Sequence, residues 1–349
     1  MKIIGSRAFF GCENAKTIIL PDTLEQIEEE AFGGCSSLEL IDLPPKVSHI
    51  SKGAFADCTR LKRVSLPEGL KTIEPRCFFN CKALEEINLP GELLGIGKSA
   101  FEGCESLRTF IGPQKQSILD GRAFAGCRNL EEISLGDDLR EIAADSFIDC
   151  MKIKKVSCSD KITPAACELF RRQVSLADGR GFIIINNSII GYIGKESDLT
   201  LPEGVKQIYD GAFAENLYLS RVTIPEGVSA IGVAAFGACP ILTSVVFPQS
   251  LNLLGSFSFA YCPCLKEVNI PGGVTGIKQG TFEGCAALEK VTLNEGLLII
   301  GPAAFRFCAR LKTPAFPDSL DIVASDSFEG CPLVVLPDIF GDEEEGFLF

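Results

Sequence analysis

Ala54-Phe55-Ala56-Asp57-Cys58-Thr59-Arg60-Leu61-Lys62-Arg63-Val64-Ser65-Leu66-Pro67 is the stretch from which the rest of the chain can be read. Its apolar residues follow two patterns. Phe55, Cys58 and Leu61 stand three apart, a spacing that predicts one or two turns of α- or 3₁₀-helix. Val64 and Leu66 alternate with polar residues, which predicts a strand with one buried face. Pro67 ends that strand, because proline has no N–H to give a ladder. A second apolar pair, Leu70 with Ile73, predicts a shorter extended or turn-like segment that returns toward the core.

Outward from this unit the same order recurs every 23 residues. Its Phe stands at Phe9, Phe32, Phe55, Phe78, Phe101, Phe124, Phe147 and Phe170, then at Phe213, Phe236, Phe259, Phe282, Phe305 and Phe328. Three places after the Phe, twelve of the sixteen cysteines form a column of their own, from Cys12 to Cys150 and from Cys239 to Cys331. A length of 349 residues would ordinarily suggest two domains. The fourteen anchors instead describe one repeat array. A 23-residue coil cannot bury its own apolar side, but stacked coils share a continuous core.

The unit A-F-x-x-C-x-x-L-x-x-I-x-L-P resembles the BspA-like class of leucine-rich repeats, over nearly the whole chain. The resemblance implies an α/β repeat protein: a right-handed solenoid of about 14 coils with one short parallel strand per coil. It also implies a bacterial or protist surface or secreted protein that binds a protein partner in adhesion, without catalysis.

The array predicts four segments: a first repeat block at 1–162, an irregular repeat with a β-hairpin insert at 163–198, a second block at 199–337 and an acidic tail at 338–349. Between the blocks, Phe182 to Ile185 and Ser188 to Tyr192 are β-rich runs around Asn186-Asn187, which predicts a hairpin. It reads either as a protruding recognition element or as a seam between blocks. The chain starts inside a repeat, with no apolar run of signal-peptide type, so an uncapped first coil is expected there. That end leaves a trimmed longer chain or end-to-end association open, in a protein otherwise expected to be monomeric. The same start keeps a cytoplasmic scaffold as the alternative to a surface location.

Composition narrows the chemistry. A net charge of −13 argues against nucleic acid, whose phosphates need Lys and Arg, and no apolar run is long enough for a membrane helix. His49, the single histidine, falls on an outward position that other repeats fill with Gln26, Thr72 or Gly95. Cysteines in a straight column read as buried thiols packed like small hydrophobes, since a column cannot surround zinc. Gly97-Lys98-Ser99 lacks the first glycine of a phosphate loop, because Glu92 stands there. No cofactor, metal or catalytic residue is therefore expected. The remaining reading, an enzyme with a site near the hairpin, would need converging acids beside Asn186 to Tyr192.

Partner-binding candidates come from outward positions. The strand faces are small and polar, without an aromatic stripe. Leu253, Leu298, Ile299 and Ile322 break the polar pattern of the second segment, with Leu253, Ile299 and Ile322 in one column and Gly276 between them. Such an apolar patch points to a partner site. Asn186, Asn187 and Tyr192 of the hairpin complete the set.

Overall fold

In the computed structural model, residues 1–159, 167, 169–171 and 173–337 are described. The predicted acidic tail at 338–349, residues 160–162 at the end of the first block and residues 163–166, 168 and 172 of the irregular stretch lie outside them. The chain is a parallel-strand β-solenoid of about fourteen turns. It divides into two compact units, Met1–Leu176 and Ala177–Phe349.

In the first unit, the Ile-x-Leu segments form a parallel sheet whose members pair 23 residues apart: Leu40–Asp42 with Arg63–Ser65, and Thr109–Ile111 with Glu132–Ser134 and Lys155–Ser157. The second apolar pair also becomes a strand, only two residues long. Ile3–Ile4, Gln26–Ile27 and His49–Ile50 align in one ladder, and Thr72–Ile73, Gly95–Ile96, Ile118–Leu119 and Glu141–Ile142 in another. Two residues suffice because every backbone group on the inner side of a coil must find a partner, and the next coil offers one in register.

The second unit repeats this plan. Asp198–Thr200, Arg221–Thr223, Ser244–Val246, Glu267–Asn269 and Lys290–Thr292 make its first sheet. Gln207–Ile208, Ala230–Ile231 and Leu253–Leu254, then Gly276–Ile277, Ile299–Ile300 and Ile322–Val323, line its second side.

The segment around the ladder Phe is turn, not the predicted helix. Two residues in nearly every coil are left-handed, two places before and two after the Phe. Gly53 and Asp57 (φ 65° and 61°) flank Phe55, and Ser99 and Gly103 (58° and 76°) flank Phe101. A left-handed residue every fourth place stops a right-handed helix from propagating. The N–H groups turn instead to the next coil: Phe32 donates to the Ala54 carbonyl at 2.8 Å, and Phe282 to that of Ala304 at 2.8 Å. Each coil is thus tied to its neighbours on three sides.

The core is the column of Phe rings. Neighbouring rings in the first unit lie nearly parallel, with centroids 5.2 Å apart at Phe32 and Phe55 and 5.5 Å apart at Phe55 and Phe78. Phe236 and Phe259 repeat this at 5.1 Å in the second. Each buried ring contributes about 1.5–3 kcal/mol through burial. The ladder cysteines are more than filler. Cys58 Sγ donates to the Phe32 carbonyl and Cys104 Sγ to that of Phe78, each at 3.2 Å, and Cys285 does the same to Phe259. A small, weakly polar donor suits a site that is apolar except for one carbonyl.

Phe182–Ile185 and Ser188–Tyr192 pair antiparallel through Asn186 and Asn187, whose φ of 48° and 57° match a type I′ turn. Ser188–Tyr192 then pairs in parallel with Gln207–Ile208. Of the two readings of this hairpin, the protruding one does not hold: the segment is a layer of the second unit's sheet, because Ile189 continues the buried column of Ile208 and Ile231.

Candidate binding surfaces

The outward column of the second sheet runs Ser188, Gln207, Ala230, Leu253 by register, and continues through Gly276, Ile299 and Ile322. Leu253, Leu298, Ile299 and Ile322 are 41 %, 45 %, 36 % and 40 % exposed. Ile299 and Ile322 are direct register partners, and Gly276 lies opposite Ile299 on its other side. A Cβ at 276 would meet only Ile299, at ordinary contact distance, so the glycine leaves a shallow gap in the apolar row. In the first unit the same column carries Ile3, Gln26 and His49, then Thr72, Gly95, Ile118 and Glu141, with Ile3 and Ile118 exposed and Gly95 beside Ile118.

The hairpin residues divide. Asn186 and Asn187 are exposed at the turn, and the Asn187 carbonyl accepts the Lys206 N–H at 2.8 Å, which holds the turn to the next coil. Tyr192 is different: it is buried, its ring 4.9 Å from Phe182 and 5.2 Å from Phe213. Its expected role in partner contact is corrected to a core role. The cause is the pairing of Phe182 with Tyr192, which directs both rings inward.

The first sheet of the second unit has a hollow of about 810 Å³ lined by Lys266, Glu267, Lys290, Thr292, Lys312 and Pro314. It opens because Pro314 occupies the place that Val291 fills one coil earlier, and proline cannot donate to the ladder. A smaller hollow of about 340 Å³ adjoins it through Glu267, Lys290 and Thr292. There the strands Ser244–Val246 and Glu267–Asn269 keep register only at Ser244 and Glu267.

The turn side carries residues that sequence reasoning missed. Tyr261 and Phe307 occupy the left-handed place two after the ladder Phe (φ 57° and 62°), and both are about half exposed. Gly284 and Gly330 hold that place one coil later, and the rings lie where a Cβ on those glycines would stand. Between the two aromatics, Arg306 Nε donates to the buried Glu283 carboxylate at 3.0 Å. Desolvation, followed by the nearby Glu283 carboxylate, raises the pKa of the Tyr261 hydroxyl. The signal was present in the sequence: a column filled elsewhere by small or polar residues, such as Gly11, Asp57, Asn80, Gly103 and Ala238, is broken by two large rings.

The sequence matches the family described as BspA type leucine rich repeat region, in six copies, over residues 1–108, 94–220 and 206–335. The chain belongs to the BspA-type leucine-rich repeat family. Among solved structures, it is similar to a leucine-rich cell surface protein from Faecalibacterium prausnitzii, at 25 % identity over 87 % of this chain and 84 % of that one, with a TM-score of 0.40. A leucine-rich repeat protein from Bacteroides ovatus matches at 26 % identity over 88 % and 80 %, TM-score 0.40. One from Eubacterium ventriosum matches at 18 % over 93 % and 87 %, TM-score 0.42. No curated protein matches the chain.

In this BspA-type chain the titratable groups serve the repeat. Register partners pair across coils, as Arg221 does with Asp198, which lowers the Asp198 pKa. Arg122 does the same for Glu102 through a hydrogen bond of 2.7 Å. His49 is an exposed strand residue bonded to Ser51 Oγ at 3.1 Å. Among the described residues no group of three or more His, Cys, Asp or Glu is placed to hold a metal ion, and no helix is long and apolar enough to cross a membrane.

Proposed function

We propose that this chain is a non-enzymatic adhesion module, at the cell surface or secreted, which presents a rigid repeat surface to a protein partner. The contact is the outward row of the second unit's second sheet: Leu253, Leu298, Ile299 and Ile322, with Asn186 and Asn187 further along the same side. The observation that carries this reading is the register pairing of exposed Ile299 with exposed Ile322 beside the gap at Gly276. Paired β-branched residues on a solvent-facing strand contribute nothing to the core, whereas an apolar row rimmed by polar residues suits a partner interface. Stacking fixes the row in place before binding, so little ordering entropy remains to be lost on association. The family resemblance supports the location and the adhesive role.

The test compares the full chain with a Leu253→Asp, Ile299→Asp variant in capture from extracellular protein mixtures, with every captured partner identified. Loss of those partners on the variant supports the reading, and unchanged capture of all of them overturns it. Folding is checked by circular dichroism; both sites are exposed, so the native signal is expected to remain.

A further inference from the structure

From the first sheet of the second unit we infer a docking site for a segment of this same chain: the acidic run Asp342-Glu343-Glu344-Glu345 lies back over the hollow of Lys266, Lys290 and Lys312. That hollow, about 810 Å³, holds three exposed ammonium groups on three successive coils. Among the described residues none of the three has an ion pair. Glu289 stands between Lys266 and Lys312, tied to both by backbone bonds, but its carboxylate turns to Arg310 at 3.8 Å. Lys290 and Glu267 are register partners, yet they too stay beyond ion-pair distance. By contrast Lys62 and Lys154, in the matching column of the first unit, are paired with Glu39 and Glu131 at 3.2 Å and 2.9 Å.

Where the chain goes next identifies the occupant. Val335 N–H donates to Thr313 Oγ1 at 3.0 Å, and Thr313 lines the hollow, so the last described coil delivers the chain to its rim. Beyond Pro337 the sequence turns acidic, with Asp338 followed by the run from Asp342 to Glu345. Lys312, Lys290 and Lys266 lie one, two and three coils back from Val335, roughly 5, 10 and 15 Å at one strand spacing per coil. Residues 342–345 stand five to eight places past Pro337, a reach of about 17–27 Å when extended. Gly341 permits the chain to reverse just before them. An acid for each lysine is thus within range. Further along, Phe347-Leu348-Phe349 is the apolar counterpart of Val246 in the adjoining hollow. Val246 is 53 % exposed and breaks a strand column of Thr200, Thr223, Asn269 and Thr292.

Each exposed ion pair is weak in water and screened by salt. The tether is what makes several of them sufficient, because a short linker holds the acids near the hollow at about millimolar effective concentration. An acidic segment of another molecule lacks that advantage, which favours the chain's own. Within the lining, Glu267 opposes the acids, while Glu289 already belongs to Arg310. The docked segment covers the strand face of these coils and leaves the row of Leu253, Ile299 and Ile322, on the second sheet, open to a partner.

Carbodiimide cross-linking of the full chain, read by mass spectrometry of its peptides, tests this, because the reagent joins only carboxylates and amines that are in contact. Links from residues 342–345 to Lys266, Lys290 or Lys312 within single molecules are expected, at least about tenfold above links to exposed Lys278 beside the second sheet. A full chain carrying Asp342→Asn, Glu343→Gln, Glu344→Gln and Glu345→Gln gives a second reading. Acetylation of the three lysines should run at least about twofold faster in it than in the wild type, with Lys278 unchanged. About 1 M salt should erase that difference. The four substitutions lie outside the repeat pattern, so the coils keep their fold. The inference is overturned by absence of those links, by equally frequent links to Lys278, or by equal acetylation in both chains. It is also overturned if the links occur only in covalent dimers, which would assign the segment to a second copy.

Discussion

The two units share one frame and differ in what they hang on it. In Met1–Leu176 the outward row of the second sheet runs Ile3, Gln26 and His49, then Thr72, Gly95, Ile118 and Glu141, so its exposed apolar residues Ile3 and Ile118 are separated by polar ones, and the outlying rings Phe10 and Phe79 lie under guanidinium groups. In Ala177–Phe349 the same row carries Leu253, Ile299 and Ile322, the last two adjacent in register; the half-exposed Tyr261 ring lies against Gly284, and Phe307 has the Arg306 guanidinium 5.3 Å from its ring centre. Beneath these differences the Phe rings stack at similar spacing in both, and the cysteines donate to the same carbonyl. Positions that hold the stack are thus interchangeable between units. Outward positions vary from coil to coil, and only in the second unit do two exposed β-branched residues of this row, Ile299 and Ile322, stand next to each other among the described residues.

If the frame is common, its loss must cost the same in both units. Phe55→Ala and Phe282→Ala, each fully buried in mid-ladder, are expected to destabilise by about 3–5 kcal/mol in urea denaturation. A difference of several kcal/mol between them breaks the comparison. The next effect is smaller and asymmetric. Gly126→Ala pays only for its positive φ, about 1–2 kcal/mol, because its Cβ meets nothing nearer than the Gly103 backbone at 3.8 Å. Gly284→Ala carries that cost and must also displace the Tyr261 ring. Tyr261→Gly in the same chain should remove the excess, which a double-mutant cycle in thermal or urea unfolding measures.

The cysteine column offers the smallest effect. Cys104→Ala and Cys285→Ala each remove one hydrogen bond and little volume, for about 1 kcal/mol by urea unfolding in either unit. Burial raises the pKa of both thiols, and pushes Cys285 up to about 12. Their contribution to stability is therefore complete below the ordinary thiol pKa of about 8.5. It is lost as pH climbs from there toward the folded value, so unfolding free energy should decline with pH over that window. At pH near neutrality a thiol reagent should reach exposed Cys12 quickly and Cys104 or Cys285 only as fast as the fold opens, as followed by mass spectrometry.

The repeat made most of this fold legible. Phe, Cys, Leu and Ile recur at fixed places because each faces the same neighbour in every coil, so periodicity alone identified the core. What escaped were features set by backbone conformation. A three-residue apolar spacing looks helical, yet Asp57, Asn80 and Ser99 adopt left-handed φ there, for which a polar or glycine residue is only a weak sign. A helical reading of that spacing gives no reason to single out Tyr261 or Phe307, which the left-handed turn brings to the surface. Tyr192 failed for another reason: an aromatic beside a hairpin turn reads as exposed until the pairing with Phe182 turns it inward. The apolar row was visible because Leu253, Ile299 and Ile322 sit one or two full periods apart in outward strand positions. The hollow beside Pro314 was not, since it depends on where the ladder stops.

The measurement that bears most directly on the central claim sets one unit's row against the other's. Partners captured by the full chain are titrated against the wild type, against Leu253→Asp, Ile299→Asp, and against Gln26→Asp, Thr72→Asp. The account predicts that the second-unit variant binds at least about tenfold more weakly, while the first-unit variant binds like the wild type. Equal affinity for all three chains, or loss only on the first-unit variant, would contradict it.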